Sequence, residues 1–280
     1  MTGPHVWDST WIEPASGQTL SYRVWQPQRA SGLVVIIHGF GEHGGRYHHV
    51  AQALAGAGLC VAAPDLRGHG RSGGRRGEVA DVARCAEELQ RFTEQVLVPR
   101  AGVERYAVFG HSFGGLVAIH WALRQPPQLR RLVVQSPLLE VGFPLPWGKQ
   151  VAAALLSRLW PTAALPMGLD VTRLSHDPAV IEAYRSDPLV HHVMTAGTYR
   201  SILQARDAAL ARAAAIGSPV LLLCGAQDQI ISVPTALRWF ERLACEKRQV
   251  VFPDCYHELH HERVLGDVLE LVRAWVLADG

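Results

Sequence analysis

Tyr106-Ala107-Val108-Phe109-Gly110-His111-Ser112-Phe113-Gly114-Gly115 reads as an apolar strand that bends sharply into a helix, with a serine at the bend. A turn this tight forces the residue at its tip into an unfavourable backbone conformation, so the crowded neighbouring positions must be small. Gly110, Gly114 and Gly115 meet that demand. A helix beginning at Phe113 points free backbone N–H groups and the positive end of its dipole at the serine, which favours an oxyanion there. Ser112 is therefore the candidate nucleophile. A Gly-x-Ser-x-Gly string by itself also fits a plain flexible turn; the strand before it and the helix after it favour chemistry.

A serine hydroxyl is a weak nucleophile at neutral pH and needs a histidine base oriented by a carboxylate. On a strand-turn-helix scaffold the three follow in the order Ser, then Asp or Glu, then His. The apolar run Pro219-Val220-Leu221-Leu222-Leu223-Cys224-Gly225 leads to Asp228, and Gln249-Val250-Val251-Phe252 leads through Pro253-Asp254-Cys255-Tyr256 into His257. His257 is the candidate base. Asp228 is the candidate acid because its strand precedes the strand of the histidine, with Asp254 as the alternative; either aspartate also has an ordinary reading as a loop or helix cap. The oxyanion needs a second donor. Leu33-Val34-Val35-Ile36-Ile37 suits a central parallel strand and ends at His38-Gly39-Phe40-Gly41. The backbone N–H groups of Phe40 and Phe113 are thus the expected oxyanion hole, with both phenyl rings expected to wall the pocket. His38 precedes the glycine turn and is read as a loop residue that hydrogen-bonds locally.

Strand-like runs occur at 6–12, 20–25, 33–37, 59–63, 106–109, 132–135, 220–224 and 249–252. Helical spacing fills the gaps, as in Val79, Val82, Ala86, Leu89, Phe92 and Val96, and in Leu265, Val268, Leu271, Val272 and Trp275. This alternation predicts an α/β protein with a mostly parallel central sheet, helices on both faces and an antiparallel pair of strands at the start. Between Ser136-Pro137 and Ser218-Pro219 lie about eighty residues where one crossover helix would suffice. An inserted, mainly helical cap (lid) is expected there, dividing the chain into 1–137, 138–217 and 218–280. Its first part is Phe143-Pro144-Leu145-Pro146-Trp147, followed by Val151, Leu155, Leu159 and Trp160 at helical spacing. Two readings stand: packing against the body, or an entrance for an apolar substrate in which Phe143, Leu155 and Leu159 bind it and the lid touches a membrane or micelle.

With 280 residues, 48% of them hydrophobic, the chain can build one substantial core. Its 27 basic and 25 acidic residues nearly balance, so the clustered basic excess of a nucleic-acid binder is missing. The first eleven residues lack a positive start followed by an apolar core, and no run of eighteen apolar residues occurs, so neither a secretion signal nor a membrane span is expected and a cytoplasmic location is. Cys60, Cys85, Cys224, Cys245 and Cys255 are odd in number and widely spaced, as free thiols of a reducing compartment would be. Two motifs point elsewhere. Gly68-His69-Gly70-Arg71-Ser72-Gly73 fits the dinucleotide G-x-G-x-x-G, but Asp65-Leu66-Arg67 separate it from the preceding strand and the acidic residues downstream, Glu87 and Glu88, fall in a helical pattern. His257-Glu258-Leu259-His260-His261 fits the zinc-binding H-E-x-x-H, yet its approach through Pro253 and Asp254 is loop-like. No metal and no cofactor are expected. His260, His261, His43, His48 and His49 are read as surface or helix-start histidines.

Together these motifs resemble the monoacylglycerol lipase and lysophospholipase branch of the α/β-hydrolase family, grouped with the serine aminopeptidase-like hydrolases. His38-Gly39-Phe40-Gly41-Glu42-His43 with Arg46-Tyr47 is similar to the family's H-G-x-G-E-H-x-x-R-Y, and the Asp65 to Gly77 stretch to its D-x-x-G-H-G-x-S-x-G-x-x-G loop. Asp187-Pro188-Leu189-Val190 resembles a cap segment of this branch, and His257-Glu258 its catalytic His-Glu pair. Phe113 stands where methionine is more usual. The resemblance implies an α/β-hydrolase fold and serine hydrolysis of carboxylic esters, monoacylglycerols first, with lysophospholipids and short or medium acyl esters next. The partner it implies is a small lipid ester; the apolar lid stretch, not the resemblance, carries the reading of peripheral membrane or micelle contact. An aspartate-nucleophile hydrolase is disfavoured by the serine at the bend. A peptidase acting on short N-terminal substrates, a catalytically inactive binding protein and a sheet-and-cap metal-dependent hydrolase are the remaining alternatives.

Overall fold

The computed structural model describes residues 3–143 and 147–278. Pro144, Leu145 and Pro146 of the lid's apolar stretch lie outside the described residues. Ten strands are described: β1 His5–Ile12, β2 Thr19–Gln26, β3 Gly32–Ile37, β4 Leu59–Pro64, β5 Tyr106–His111, β6 Leu129–Gln135, β7 Ala164–Pro166, β8 Val193–Thr195, β9 Val220–Gly225 and β10 Lys247–Phe252. The α-helices are α1 His48–Gly56, α2 Val82–Phe92, α3 Val98–Ala101, α4 Phe113–Ala122, α5 Trp147–Leu159, α6 Pro178–Ser186, α7 Ala196–Ala211, α8 Val233–Glu241 and α9 Leu265–Leu277.

Eight strands form one sheet in the order β1-β2-β4-β3-β5-β6-β9-β10. β1 pairs with β2 and β2 with β4 antiparallel; every later pairing in this sheet is parallel. A strand covered on both faces has no polar side to show, which is why β3 and β9 are unbroken apolar runs. Their side chains alternate between two cores. Leu33, Val35 and Ile37 join Leu222 and Cys224 in one, while Val34 and Ile36 join Leu221 and Leu223 in the other. The first core also takes α2, α4 and α8; the second takes α1 and α9. All ten residues of α4 are buried, because it is held between the sheet, α2 and α7.

Val79 falls outside the helix expected from its spacing. Asp81 caps α2 by accepting the N–H groups of Ala83 and Arg84, so the helix starts at Val82 and Val79 is buried in the preceding loop. Between β6 and β9 the chain leaves the sheet through α5, the short antiparallel pair β7–β8, α6 and α7. α7 returns to the main core through Ile202, Ala205 and Ala209. α6 forms a smaller core in which Ile181 and Tyr184 meet Ile230 and Ile231 of the loop after β9.

Candidate active site

At the end of β5 the backbone of Ser112 has φ 53° and ψ −116°, a conformation that costs a non-glycine residue about 1–3 kcal/mol and persists only where its surroundings enforce it. They do so from both sides. The Ser112 N–H donates to the carbonyl of Gln135 at 3.0 Å, and the Ser112 carbonyl accepts from Leu138 at 2.9 Å and Leu116 at 3.2 Å. A Cβ on Gly110 would come within 2.4 Å of the Gly114 carbonyl, and one on Gly114 within 2.2 Å of the Ile37 carbonyl, so glycine is required for α4 to start this close to β3.

The loops after β9 and β10 run together because those strands are parallel neighbours. Ala226 N–H donates to the carbonyl of Phe252 at 2.8 Å and Gln227 N–H to that of Cys255 at 3.1 Å. Asp228 is thereby brought to His257, whose Nδ1–H donates to Asp228 Oδ2 at 2.7 Å, while Asp228 Oδ1 accepts the N–H groups of Ile230 at 2.8 Å and Ile231 at 3.1 Å. Asp254 is exposed and, among the described residues, reaches only the Gln227 side-chain amide, at 3.4 Å. Burial opposes charge on both members of the pair, but each partner outweighs it: Asp228 is held below the ordinary carboxylate value and His257 above the ordinary imidazole value. His111, its ring 4.7 Å from that of His257, is pushed by burial and by His257 down to about 3 and stays neutral. Ser136 Oγ–H donates to the His257 carbonyl at 3.0 Å and fixes the loop from below.

The N–H groups of Phe40 and Phe113 have no hydrogen-bond acceptor among the described residues. The two rings do not share a role. Phe40 lines the cavity at Ser112, whereas Phe113 is fully buried with its ring edge-on to Phe40, 5.2 Å between centroids, and does not line it. The expectation that both rings wall the pocket is corrected: at the first position of a helix buried on all sides, the Phe113 side chain turns into the core. His38 accepts the Leu66 N–H on Nε2 at 2.9 Å and faces the Gly39 carbonyl with Nδ1 at 2.7 Å, a loop role.

A buried ion network ties the Phe40 loop to the His257 loop, and residue spacing alone did not point to it. Glu42 Oε1 accepts the Gly39 N–H at 2.5 Å and the Tyr47 hydroxyl at 2.8 Å, and Glu42 Oε2 pairs with Arg46. Arg46 donates to both oxygens of Glu258 at 2.7 and 2.8 Å and lies over the Tyr184 ring of α6. Burial alone would raise the Glu258 carboxyl; the Arg46 guanidinium reverses that and holds it well below its ordinary value. The available signal was a glutamate and an arginine four apart directly after the glycine turn, and a second glutamate beside the histidine.

Ser112 and His257 line one cavity of about 120 Å³ with Leu138, Met167, Leu174, Tyr184 and Ile230. A neighbouring cavity of about 380 Å³ shares its walls Leu138, Val141, Phe143 and Met194 and continues along α7 past Tyr199, Ile202 and Leu203. Phe143 therefore lines both cavities. Leu155 and Leu159 do not: they are 55% and 82% exposed, on the same outward stripe of α5 as Trp147 and Val151, since residues four apart share a helix face. The zinc-type helix is not formed. Leu259–His261 is a single 3-10 turn, His257 is engaged by Asp228 and Glu258 by Arg46. The glycine loop at 68–73 wraps the Asp65 carboxylate, which accepts the N–H groups of Gly44 and Arg71 at 2.8 Å each. His260 and His43 are buried rather than surface histidines.

The family model of the serine aminopeptidase S33 group matches residues 28–264. The monoacylglycerol lipase of Mycolicibacterium smegmatis is 35% identical over 94% of both chains, and the monoglyceride lipase of Rattus norvegicus 31% identical over 94% of this chain and 88% of its own. The crystal structure of Paleococcus ferrophilus monoacylglycerol lipase superposes with a TM-score of 0.81 at 30% identity, over 97% of this chain and 98% of that one. The sheet order, the two helical layers and the excursion after β6 are those of an α/β-hydrolase.

Proposed function

Because the chain belongs to the serine aminopeptidase S33 family of α/β-hydrolases, we propose that this carboxylic ester hydrolase cleaves monoacylglycerols to glycerol and a fatty acid through an acyl-enzyme on Ser112. The observation that carries the reading is the buried 2.7 Å His257–Asp228 hydrogen bond beside the cavity that Ser112 lines. Since His257 Nδ1 holds its proton toward Asp228, Nε2 carries the lone pair. Ser112 Oγ attacks the ester carbonyl as its proton passes to Nε2, and the carbonyl electron pair moves onto oxygen, opposite the free N–H groups of Phe40 and Phe113. Collapse of this intermediate breaks the ester C–O bond, and glycerol leaves with the proton from Nε2. Water then repeats the sequence on the acyl-serine and releases the fatty acid. Asp228 stabilises the imidazolium in both halves. Glu42, Arg46 and Glu258 act as positioning residues that keep the oxyanion loop and the base loop in one frame.

The apolar cavity walls and the names borne by the relatives support an acyl chain as the group bound. In this reading 138–217 is the cap, Phe143 stands at the junction of the two cavities, and the exposed stripe Trp147, Val151, Leu155 and Leu159 meets a membrane or micelle rather than the chain inside. The lysophospholipase and short-chain esterase readings share the chemistry and differ in the alcohol. A panel of monoacylglycerols of graded chain length, lysophospholipids and a short soluble ester separates them: the highest kcat/KM is expected on a monoacylglycerol. A higher value on a lysophospholipid would overturn the substrate and leave the Ser112 chemistry standing.

A further inference from the structure

The turn that carries the Phe40 N–H is held from two directions, and one of them is not the body of the fold. The peptide units on either side of Phe40 are each fixed by a hydrogen bond: the Gly39 N–H donates to Glu42 Oε1 at 2.5 Å, and the Gly41 carbonyl accepts the His191 N–H at 2.8 Å. Glu42 belongs to the same turn, whereas His191 comes from the segment inserted between β6 and β9. The approach is close. Gly41 has φ 83°, and a Cβ there would come within 2.6 Å of the His191 carbonyl oxygen. The stretch around His191 is anchored on the body at both ends. His43 donates from Nε2 to Asp187 Oδ2 at 2.8 Å, its Nδ1 accepting the Gly45 N–H, and the Thr195 N–H donates to the Gly77 carbonyl at 3.1 Å.

The side chain of His191 repeats the contact made by its backbone. The Phe40 ring is edge-on to three others: His69 at 4.8 Å, Phe113 at 5.2 Å and His191 at 5.7 Å between centroids. His191 in turn packs on His69 at 4.7 Å. Both ring nitrogens of His191 are buried without a hydrogen-bond partner among the described residues, so what this side chain gives its neighbours is the shape of a flat ring. Burial, and Arg76 after it, lowers His191 to about 4, so the ring is neutral where His257 can act as a base. His191 is not among the described residues that line the Ser112 cavity, and it reaches the site only through the Phe40 turn. An N–H that receives an oxyanion must be in place before the charge develops, and a displacement of about 1 Å costs on the order of 10²-fold in rate. We propose that His191 is a positioning residue for ester hydrolysis: through its N–H on Gly41 and its ring on Phe40, the inserted segment holds the Phe40 N–H at the oxyanion. This role rests on the proposed use of that N–H in the reaction. It gives the inserted segment a part in the chemical step, apart from any part in choosing the substrate.

The test compares His191→Ala, which keeps the backbone hydrogen bond and removes the ring, with His191→Phe, which keeps a flat ring. Hydrolysis of a short soluble ester and the rate at which a fluorophosphonate labels Ser112 are measured across pH, on proteins checked by melting temperature. His191→Ala is expected to lose about ten- to a hundredfold in kcat with KM within about threefold, and to be labelled more slowly by a similar factor. Its acid limb should stay where the parent's is, because His257 and Asp228 are untouched. His191→Phe should return kcat to within about threefold of the parent. A kcat of His191→Ala within about threefold of the parent, or a loss carried by KM alone, would overturn the role. So would a folded His191→Phe protein as slow as His191→Ala, since the effect would then belong to the ring nitrogens. If His191→Ala melts early, His191→Leu replaces it, filling the space without a flat ring: a lowered kcat is expected, and a kcat at the parent level contradicts the proposal. A parent that is not labelled on Ser112 overturns the proposed chemistry and this role with it. A labelled parent beside an equally fast His191→Ala overturns the role alone.

Discussion

Asp228 and Asp254 lie on neighbouring loops and their chemistry is the same, so only placement separates them. Asp228→Asn keeps a hydrogen-bonding side chain but removes the charge that favours the His257 imidazolium and the tautomer with Nε2 free. We expect kcat to fall by about 10³–10⁴-fold, whereas Asp254→Asn, an exposed change, should leave it within about threefold. The reverse order in steady-state assays would mean that the acid is misassigned. The same pair sets the acid limb of the pH profile. His257 must be neutral to accept a proton, and Asp228 raises its pKa above the ordinary 6.5 against the effect of burial. The log of kcat/KM should therefore rise with pH and level off only above that value; a plateau already reached below pH 6 would show that His257 is not the titrating base. Both residues were legible from the order of the strands. That the 2.7 Å bond forms depends on loops 29 residues apart, and that Arg46 joins Glu42 to Glu258 on loops 212 residues apart, and no local pattern carries either contact.

α5 shows what periodicity does and does not say. Val151, Leu155 and Leu159 are spaced four apart, and that spacing correctly announced a helix with an apolar stripe. It does not say whether the stripe meets protein or solvent, and here it faces outward with Trp147 80% and Leu159 82% exposed. In the proposed reading this exposed apolar stripe meets an apolar phase. Leu155→Ser with Leu159→Ser is therefore expected to weaken flotation of the Ser112→Ala protein with phospholipid vesicles and to lower turnover of long-chain monoacylglycerol in micelles, while a short soluble ester is hydrolysed at the parent rate. Equal loss on both esters would point to a damaged fold, and unchanged flotation would leave the stripe without a lipid role. Phe113 shows the same limit at one position: its N–H was placed by the helix start, but the direction of its ring was decided by the burial of the whole of α4.

For the whole molecule, the inner parallel strands were readable because a doubly covered parallel sheet writes itself as short continuous apolar runs, and β1 and β2 were readable as an antiparallel pair at the start. The excursion between β6 and β9 was readable as excess length. Its internal arrangement was not, since β7 and β8 are three residues each and α7 belongs to the main core as much as to the excursion. Among the described residues no helix is long and apolar enough to cross a membrane. Two layers of helices leave one end of the sheet for the loops that carry Phe40, Ser112, Asp228 and His257, and in the proposed function Ser112 bears the acyl group there. The most direct measurement is mass spectrometry of the protein labelled with a fluorophosphonate, paired with monoacylglycerol hydrolysis by Ser112→Ala at matched melting temperature. A single adduct on the peptide containing Ser112, activity lost in proportion to labelling, and a variant that is neither labelled nor active are expected. An adduct on a different residue, or turnover by Ser112→Ala within about tenfold of the parent, would contradict the proposed function.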